Sequence, residues 1–538
     1  MSDPKSLAAA EAALKAGKRD EARRLYDTMA RKRAALDAEP RLAAIAPALG
    51  LADAAVEHMR RASQARPADA ALLGNLGALL NTAGKLDEAR SCLERAIALK
   101  PDFVAAHYNL GIVLGRTGDP NAAARSYERA IQLDPRHAGA HLNLANLLSE
   151  AKVYGEAVKH YRLSLAARPL PAALVNLGNT LKEQGYWKES REAYEQALAL
   201  GNNDGVRIKA AMTMPLVPKS AAEIDTARAA FAAALTAMEA RPLQVSDPMR
   251  EIGSTLFALA YQGGNDKALA QAMARILAKA CPSLLFTAPH CTQARASGAK
   301  LRVGLCSRFL RDHSIGRLML NLIQHMAATG RYEVFIFSFN KQQDAVAAEI
   351  AGHAAEVVTL FADLDQARQE IAARRLDVLF YPDIGMEPMT YFLAFARLAP
   401  VQCVTWGHPV TTGIPTVDYF LSCDAAEPAD GDDHYSEKLV RLGGLPMSYR
   451  RPPRPDPLKD RAAYGLPAAP RLYFCAQNLF KIHPELDRPF LEILRRDPEG
   501  HLLLLHGGDP HWAELLLGRY RALAPELLER VIVLPRQS

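Results

Sequence analysis

The sequence predicts an α + α/β protein, in which an α-solenoid of paired helices is followed by two α/β lobes. The first observation is a repeat, since Pro67, Pro101, Pro135 and Pro169 stand 34 residues apart. The second is a change of pattern in roughly the last 240 residues, where helical periodicity gives way to short apolar runs that alternate with helical segments. The third is a proline-rich stretch that divides these runs into two groups.

Composition places the chain among ordinary globular proteins. Its 538 residues suffice for about three or four domains, and 49% of them are hydrophobic and 23% charged. A net charge of +6 is small for this length and gives little support to nucleic-acid binding, which needs a concentrated basic face. The seven cysteines are scattered without a CxxC pair, which predicts buried free thiols in a reducing compartment.

The sequence also bears on localisation. No apolar stretch is long enough to cross a membrane, and the first residues, MSDPKSLAAAEAALKAGKRDEARR, lack the apolar core of a secretory signal. We therefore expect a cytoplasmic protein whose partners are neither nucleic acids nor membranes.

A period of 34 residues is typical of tetratricopeptide repeats, in which each unit is a pair of antiparallel helices that must stack on its neighbours. The units share a small residue that lets their two helices approach closely, namely Gly77, Gly111, Ala145 and Gly178. They share an apolar packing residue in the second helix, namely Leu93, Tyr127 and Tyr161. They share a turn residue between the helices, namely Gly84, Gly118, Lys152 and Gly185. The pattern predicts a solenoid over residues 67–200, preceded by a degenerate helical region over 1–66.

One asparagine recurs in the first helix of each unit, at Asn75, Asn109, Asn143 and Asn176. An amide donates and accepts hydrogen bonds at once, so a column of amides facing the inner groove could bind the backbone of an extended peptide of any sequence. The alternative is that each amide only ties its own helix pair together. The repeats alone therefore predict a protein-binding module and no chemistry.

The second half alternates apolar strands with helices, which predicts parallel sheets. The expected divisions are a helical linker over 201–295, a first α/β lobe over 296–444, a proline-rich linker over 445–470 and a partial second lobe over 471–538. The expected strands of the first lobe are 301–307, 332–339, 376–382 and 401–406. Those of the second lobe are RLYFCA, HLLLLH and VIVLP. Because the chain stops after the last of these few strands, we expect the second lobe to be incomplete.

Polar residues follow several predicted strands, at the edge where parallel sheets bind ligands. His313 comes after strand 301–307 and suits general-base chemistry, although a lone histidine is more often structural. The loop 406–413 offers backbone N–H groups to a polar ligand, or is an ordinary turn. Lys481, near a helix start, suits a phosphate, or is a plain surface lysine.

Five segments, taken in order, resemble the bacterial members of the O-linked N-acetylglucosamine transferase (SPINDLY-type) family, glycosyltransferase family 41. They are repeats of the AHxNLxxxL type, LRVGLCSRFLRDHSIGRL, LAPVQCVTWGHPVTTGIPTVDYFLS, HYSEKLVRL and FCAQNLFKIHP. The resemblance covers nearly the whole chain. It implies two Rossmann-like lobes of the GT-B type and an inverting, metal-independent transferase. Such an enzyme moves a sugar from a nucleotide diphosphate, with UDP-GlcNAc favoured, to Ser or Thr hydroxyls of proteins.

The resemblance also implies roles for single residues. His313 matches the active-site histidine near the acceptor, and Lys481 matches the lysine that neutralises the leaving diphosphate, so both are expected to be catalytic. The residues expected to bind the donor are Asp383, Trp406, Gly407, His408, Pro409, Asn478 and Lys481. At the position of Asp383 the family often has an amide. His313, His408 and a donor phosphate oxygen all stay candidates for the base.

The implied partners are a nucleotide sugar and acceptor proteins held in the groove of the repeats, with no cofactor and no metal. A DxD-like triplet at Asp430, Asp432 and Asp433 gives weak support for a metal, because it lies far from its preceding strand. Two alternatives stay open. One is a related transferase that uses GDP-fucose or UDP-glucose. The other is a truncated, non-catalytic scaffold. The family continues past the strand matching VIVLP into a loop that cradles the nucleotide, and this sequence ends before such a loop.

Overall fold

The structure of the protein is a computed structural model. It describes residues 4–31, 38–293, 299–339, 344–445, 447–448, 450–452, 454, 456–468 and 471–535. The chain divides into two units, Met1–Thr180 and Leu181–Ser538. The division falls within a helix of the last predicted repeat.

The first unit is built from helices. Its described helices are α1 (Pro4–Lys15), α2 (Arg19–Arg31), α3 (Glu39–Ile45), α4 (Ala52–Ala65), α5 (Ala70–Thr82), α6 (Leu86–Leu99), α7 (Val104–Arg116), α8 (Pro120–Leu133), α9 (Ala138–Glu150), α10 (Tyr154–Ala167) and most of α11 (Pro171–Gln184). From α5 onward they alternate as the first and second helices of the predicted repeats. The helical solenoid inferred from the period is therefore confirmed.

Small residues allow the two helices of a repeat to touch. A Cβ on Gly77 would lie 2.5 Å from Leu93, and a Cβ on Gly111 would lie 2.5 Å from the ring of Tyr127. These packing residues are buried. The turn between α9 and α10 is also as predicted, because Lys152 takes a φ of 61° where the other units have glycine.

The second unit begins with α12 (Trp187–Leu200), the second helix of the last predicted repeat, followed by helices that pack on the first α/β lobe. The latter are α13 (Asp204–Ala211), α14 (Ala221–Glu239), α15 (Pro248–Glu251) and α16 (Lys267–Ala280). Ile208, Phe231 and Met273 share one apolar cluster with Phe337 and Tyr381 of the sheet. The segment that the sequence predicts as a linker is thus packed against the sheet.

The first lobe contains a parallel sheet of seven strands in the order β3-β2-β1-β4-β5-β6-β7. The strands are β1 (Leu301–Cys306), β2 (Tyr332–Ser338), β3 (Glu356–Thr359), β4 (Val378–Tyr381), β5 (Val401–Thr405), β6 (Tyr419–Cys423) and β7 (Lys438–Leu442). The helices between them are α17 (Ser314–Ala328), α18 (Ala345–His353), α19 (Leu364–Ala373) and α20 (Pro388–Leu393). The four strands expected in this lobe are confirmed, and β3, β6 and β7 are additional.

The second lobe contains a parallel sheet in the order β10-β9-β8. Its elements are β8 (Leu472–Cys475), α21 (Asp487–Arg496), β9 (His501–Leu505), α22 (Pro510–Leu523) and β10 (Val531–Leu534). The buried guanidinium of Arg519 pairs with Asp487 at 2.5 Å and donates to the carbonyl of Pro218 at 3.0 Å. This lobe is therefore anchored on the segment that precedes α14.

Among the described residues, no helix combines the length and apolar character that a membrane crossing requires.

Replacing Gly111 by alanine should destabilise the repeat that contains it. The new Cβ would lie 2.5 Å from a ring carbon of Tyr127, so the ring or the helix must shift. Overpacking of this kind costs about 1–3 kcal/mol. We expect a lower midpoint of thermal unfolding, measured by far-UV circular dichroism.

Gly115→Ala is the matched control in the same helix, because its Cβ would meet only Ala123, at 3.9 Å. Alanine gains up to about 1 kcal/mol of helix propensity over glycine, so this variant should unfold at the same or a higher temperature. Equal destabilisation by the two substitutions would contradict the packing explanation.

Candidate active site

The candidate site lies at the carboxyl edge of the seven-stranded sheet, where the chain leaves the adjacent strands β1, β4 and β5. The loops involved are 307–313, 382–387 and 406–409. A segment of the second lobe, 477–483, lies close to them through Phe480 and Lys481. These segments carry all the residues that were predicted for catalysis and donor binding.

His313 ends the first loop and caps α17. Its Nδ1 accepts a hydrogen bond from the backbone N–H of Ile315 at 3.2 Å, and its ring stacks on Phe309 with centroids 4.5 Å apart. Because Nδ1 is an acceptor here, the neutral ring carries its proton on Nε2. The part of His313 in catalysis stays a prediction.

Asp383 is fully buried and connects two of the loops. One carboxyl oxygen accepts a hydrogen bond from the hydroxyl of Ser307 at 2.5 Å, and Ser307 Oγ accepts one from the backbone N–H of Phe309 at 2.9 Å. The other carboxyl oxygen, Oδ1, has no partner among the residues that the structure describes. Burial raises the pKa of Asp383 to about 7, against the opposing effect of the Ser307 hydrogen bond.

The loop after β5 is held by its glycine. The backbone N–H of Gly407 donates to the carbonyl of Pro382 at 3.1 Å, and a Cβ at this position would lie 2.3 Å from that oxygen and 2.7 Å from Ile315. Only glycine fits so close to both. Trp406 is half-buried beside it, and its indole Nε1 has no partner in the described part of the chain, whereas Pro409 is exposed.

Residues 411–413, the second half of the predicted loop 406–413, have a structural role. Glu437 accepts hydrogen bonds from the hydroxyl of Thr411 at 2.6 Å and from the backbone N–H of Thr412 at 2.9 Å. Gly413, with a φ of 71°, packs against the backbone of Ala270, where a Cβ would lie at 2.3 Å. These residues therefore follow the ordinary-turn interpretation, because their polar groups are used within the fold.

His408 is buried in an aromatic cluster. Its ring lies parallel to that of Phe257 with centroids 5.7 Å apart, and a Cβ on Gly385 would lie 2.3 Å from it. Burial, together with the nearby charge of Lys481, lowers the pKa of His408 to about 4. The ring is therefore neutral at pH 7, and its low basicity disfavours it as a general base.

Lys481 brings a positive charge to this loop. Its side chain is exposed, and Nζ lies 5.4 Å from the centre of the Tyr261 ring. Among the described residues, no carboxylate pairs with this ammonium group. Asn478 is exposed at the start of the turn Leu479–Lys481, and Leu479 is the buried anchor of that turn.

Two aromatic residues of this cluster were not singled out from the sequence. Phe257 and Tyr261 both lie in the turn Phe257–Tyr261, with ring centroids 5.5 and 5.0 Å from that of Phe480. In the sequence, only their spacing of four residues could have indicated that they lie together, and this spacing is common in helical cores. Ser307 was also missed, because a lone serine after a strand carries no pattern.

The acidic triplet has a structural role at one position. Asp432 accepts a hydrogen bond from the guanidinium of Arg441 at 3.1 Å. Among the described residues, no three His, Cys, Asp or Glu side chains come together as a metal site would require.

The asparagines of the repeats differ in their surroundings. Asn75 is exposed, and Asn109 is half-buried. Asn143 donates to the hydroxyl of Tyr127 at 3.4 Å, and Asn176 donates to Asn146 Oδ1 at 2.9 Å. Both acceptors belong to the preceding repeat, so these amides link neighbouring units. Peptide binding by the asparagines stays a prediction.

Comparison with known protein families gives matches in both halves of the chain. Residues 254–445 match the family described as glycosyl transferase family 41. Residues 80–118, 108–173 and 171–204 match tetratricopeptide repeat families. A mutant of O-GlcNAc transferase from Thermobaculum terrenum has a similar structure, with a TM-score of 0.55 and 22% identity over 81% of this chain and 74% of that one. At that identity the likeness shows the fold.

Curated relatives match over shorter stretches. The probable UDP-N-acetylglucosamine–peptide N-acetylglucosaminyltransferase SEC of Arabidopsis thaliana is 33% identical over 113 residues, which are 20% of this chain and 12% of that protein. The UDP-glucose:protein N-beta-glucosyltransferase of Actinobacillus pleuropneumoniae serotype 5b is 35% identical over 65 residues, which are 12% of this chain and 10% of that protein. The matched stretch is thus about an eighth of the first relative and a tenth of the second.

The family resemblance seen in the sequence is confirmed: residues 254–445 match glycosyl transferase family 41, and the residues before them match tetratricopeptide repeats.

Proposed function

We propose that the protein transfers a sugar from a nucleotide diphosphate donor, with UDP-GlcNAc favoured, to Ser or Thr hydroxyls of proteins. The observation that carries this proposal is the ammonium group of Lys481, which pairs with no carboxylate of the described residues and lies beside the loop 406–409 in the region that matches family 41. The loop lies at the carboxyl edge of a parallel sheet, where such folds bind ligands.

The leaving group explains the need for Lys481. Breaking the bond between the sugar and the diphosphate develops negative charge on the phosphate oxygens, and a fixed cation lowers the energy of that transition state. The aromatic rings of Tyr261 and Phe480 pack beside this lysine, with centroids 5.0 Å apart. The charge of Lys481 supports a metal-independent mechanism.

The acceptor hydroxyl must lose a proton during an inverting displacement. His408 has too low a pKa, about 4, to be an efficient base at pH 7. Nδ1 of His313 already accepts the Ile315 N–H. Both observations favour a donor phosphate oxygen as the proton acceptor, with His313 positioned beside the acceptor.

UDP-glucose is the second candidate donor. The similarity to the UDP-glucose:protein N-beta-glucosyltransferase of Actinobacillus pleuropneumoniae favours it. Incubation of the protein with acceptor lysate and labelled UDP-GlcNAc, UDP-glucose or GDP-fucose distinguishes the donors. We expect label in protein from UDP-GlcNAc, removable from serine and threonine by β-elimination. Transfer from UDP-glucose alone would change the donor, and transfer from none would contradict the proposed function.

Lys481→Ala should lower kcat for sugar transfer by about 10²–10³-fold, as expected for the loss of one group that stabilises transition-state charge. Lys459→Ala is the matched control, because Lys459 is also an exposed lysine over a tyrosine ring, at 5.9 Å from the centre of Tyr464. Initial rates with saturating donor provide the measurement. If both variants keep the wild-type kcat, Lys481 does not assist the leaving group.

Asp383→Asn should remove a pH dependence of stability. The folded carboxyl has a pKa raised to about 7 from an ordinary 3.8, so it stays protonated where the unfolded chain is already ionised. The contribution of Asp383 to wild-type stability therefore falls as pH rises from 3.8 to about 7 and changes little above that. Between about pH 5 and about pH 8 the variant should gain on the order of 2 kcal/mol relative to wild type.

Thermal unfolding of both proteins at the two pH values measures this difference. Asp424→Asn is the control, because Asp424 is an exposed carboxylate that directly follows β6. Its unfolding temperature relative to wild type should not change with pH. A constant difference between Asp383→Asn and wild type would show that Asp383 is ionised throughout.

A further inference from the structure

A cavity of about 370 Å³ lies within the unit Leu181–Ser538, beside the candidate active site. Its apolar walls come from methionine and aromatic side chains, namely Met212, Met214, Met386, Phe257, Phe480 and Trp512. Two lysines, Lys182 and Lys209, also line it, together with the hydroxyl residues Thr213, Ser254 and Thr255. Its size is that of a site for a small ligand or a few side chains.

The two lysines concentrate positive charge in this cavity. Lys209 is only 7% exposed, and Lys182 donates to the hydroxyl of Ser254 at 3.1 Å. Burial, with the charge of Lys182 added, lowers the pKa of Lys209 to about 8. Both lysines line the same cavity, so an anion bound between them would offset the repulsion of their charges.

The cavity shares its walls with the loops of the candidate active site. Met386 and Pro388 belong to the segment that follows Asp383, and the hydroxyl of Thr255 donates to the carbonyl of Gly385 at 2.5 Å. Phe480, in another wall, directly precedes Lys481. A ligand in the cavity would thus lie near the loops where the donor sugar is proposed to react, at a distance that a peptide of a few residues can span.

We propose that this cavity is a specificity subsite for an acidic side chain, Asp or Glu, of the acceptor polypeptide. Its carboxylate lies between Lys182 and Lys209, and its methylene groups contact the methionine and aromatic walls. The proposal rests on the proposed function, because it places the occupant next to the hydroxyl that receives the sugar. Acceptors with an acidic residue near the modified Ser or Thr are then preferred.

Charge and shape select this occupant over others. Glu183 is the one acidic residue among those lining the cavity, and its side chain is exposed, so the interior is positive. A donor diphosphate has its own cation in Lys481, which is not among the lining residues. The thioether and aromatic walls suit the hydrocarbon part of a side chain better than a fully hydrated inorganic anion.

A pair of peptide series tests the preference. Each synthetic peptide carries one serine in a neutral background, with Glu at a single position within about four residues of the serine, and its partner carries Gln there. At one of these positions we expect KM for the Glu peptide to be roughly tenfold lower than for the Gln peptide, because a carboxylate accepts stronger hydrogen bonds from ammonium groups than a neutral amide does.

Lys209→Met and Lys182→Met should abolish the difference between the Glu and Gln peptides, since methionine fills similar space without charge. Lys188→Met is the control, because Lys188 is exposed, does not line the cavity and lies over the Trp187 ring at 5.4 Å. It should keep the preference. Thermal unfolding of each variant shows whether it is folded.

Direct binding of the same peptides separates this proposal from the proposed function. Trp512 lines the cavity, so its fluorescence should change with the preferred Glu peptide and not with its Gln partner, and Trp512→Phe should remove the change. Charge-selective binding without sugar transfer would support the subsite and contradict the proposed function. Transfer with equal KM for all Glu and Gln pairs would overturn the subsite and leave the function intact.

Discussion

The close contact of Gly407 with the Pro382 carbonyl is the constraint on which the candidate site depends. It draws the loop after β5 against the loop after β4 and against Ile315 at the start of α17. The hydrogen bond from Ser307 to Asp383 joins the loop after β1 to the same assembly. The loops after three neighbouring strands therefore meet at the carboxyl edge of the parallel sheet, and backbone packing holds them together there.

Electrostatics divides the residues at this place into two kinds. Asp383 and His408 are buried, and burial drives both toward their neutral forms, with pKa values of about 7 and about 4. In their neutral forms, Asp383 joins two loops through Ser307, and His408 packs in the aromatic cluster. Lys481 is exposed and keeps its charge available for a ligand. The chemistry proposed for this protein therefore depends on the second lobe presenting one cation to loops that the first lobe holds rigid.

The sequence predicts the features that depend on local pattern. The period of prolines and small residues gives the repeats, and continuous apolar runs give β1, β2, β4 and β5. It misses β3 because this edge strand is short and exposed at Glu356, Val357 and Thr359. It misses β7 because charged Lys438 and Arg441 interrupt the apolar run of another edge strand. The cavity joins residues from α11 to α22, a proximity that only the tertiary fold creates.

Residue roles were less predictable than positions. Asp383 is expected from the resemblance to contact the donor sugar, and this stays a prediction, whereas its buried hydrogen bond with Ser307 joins two loops. The most direct test of the central claim is a crystal structure of this protein with UDP. We predict the diphosphate oxygens within about 3 Å of Lys481 Nζ, at the carboxyl edge of the seven-stranded sheet. UDP bound elsewhere, with Lys481 still over the Tyr261 ring, would contradict it.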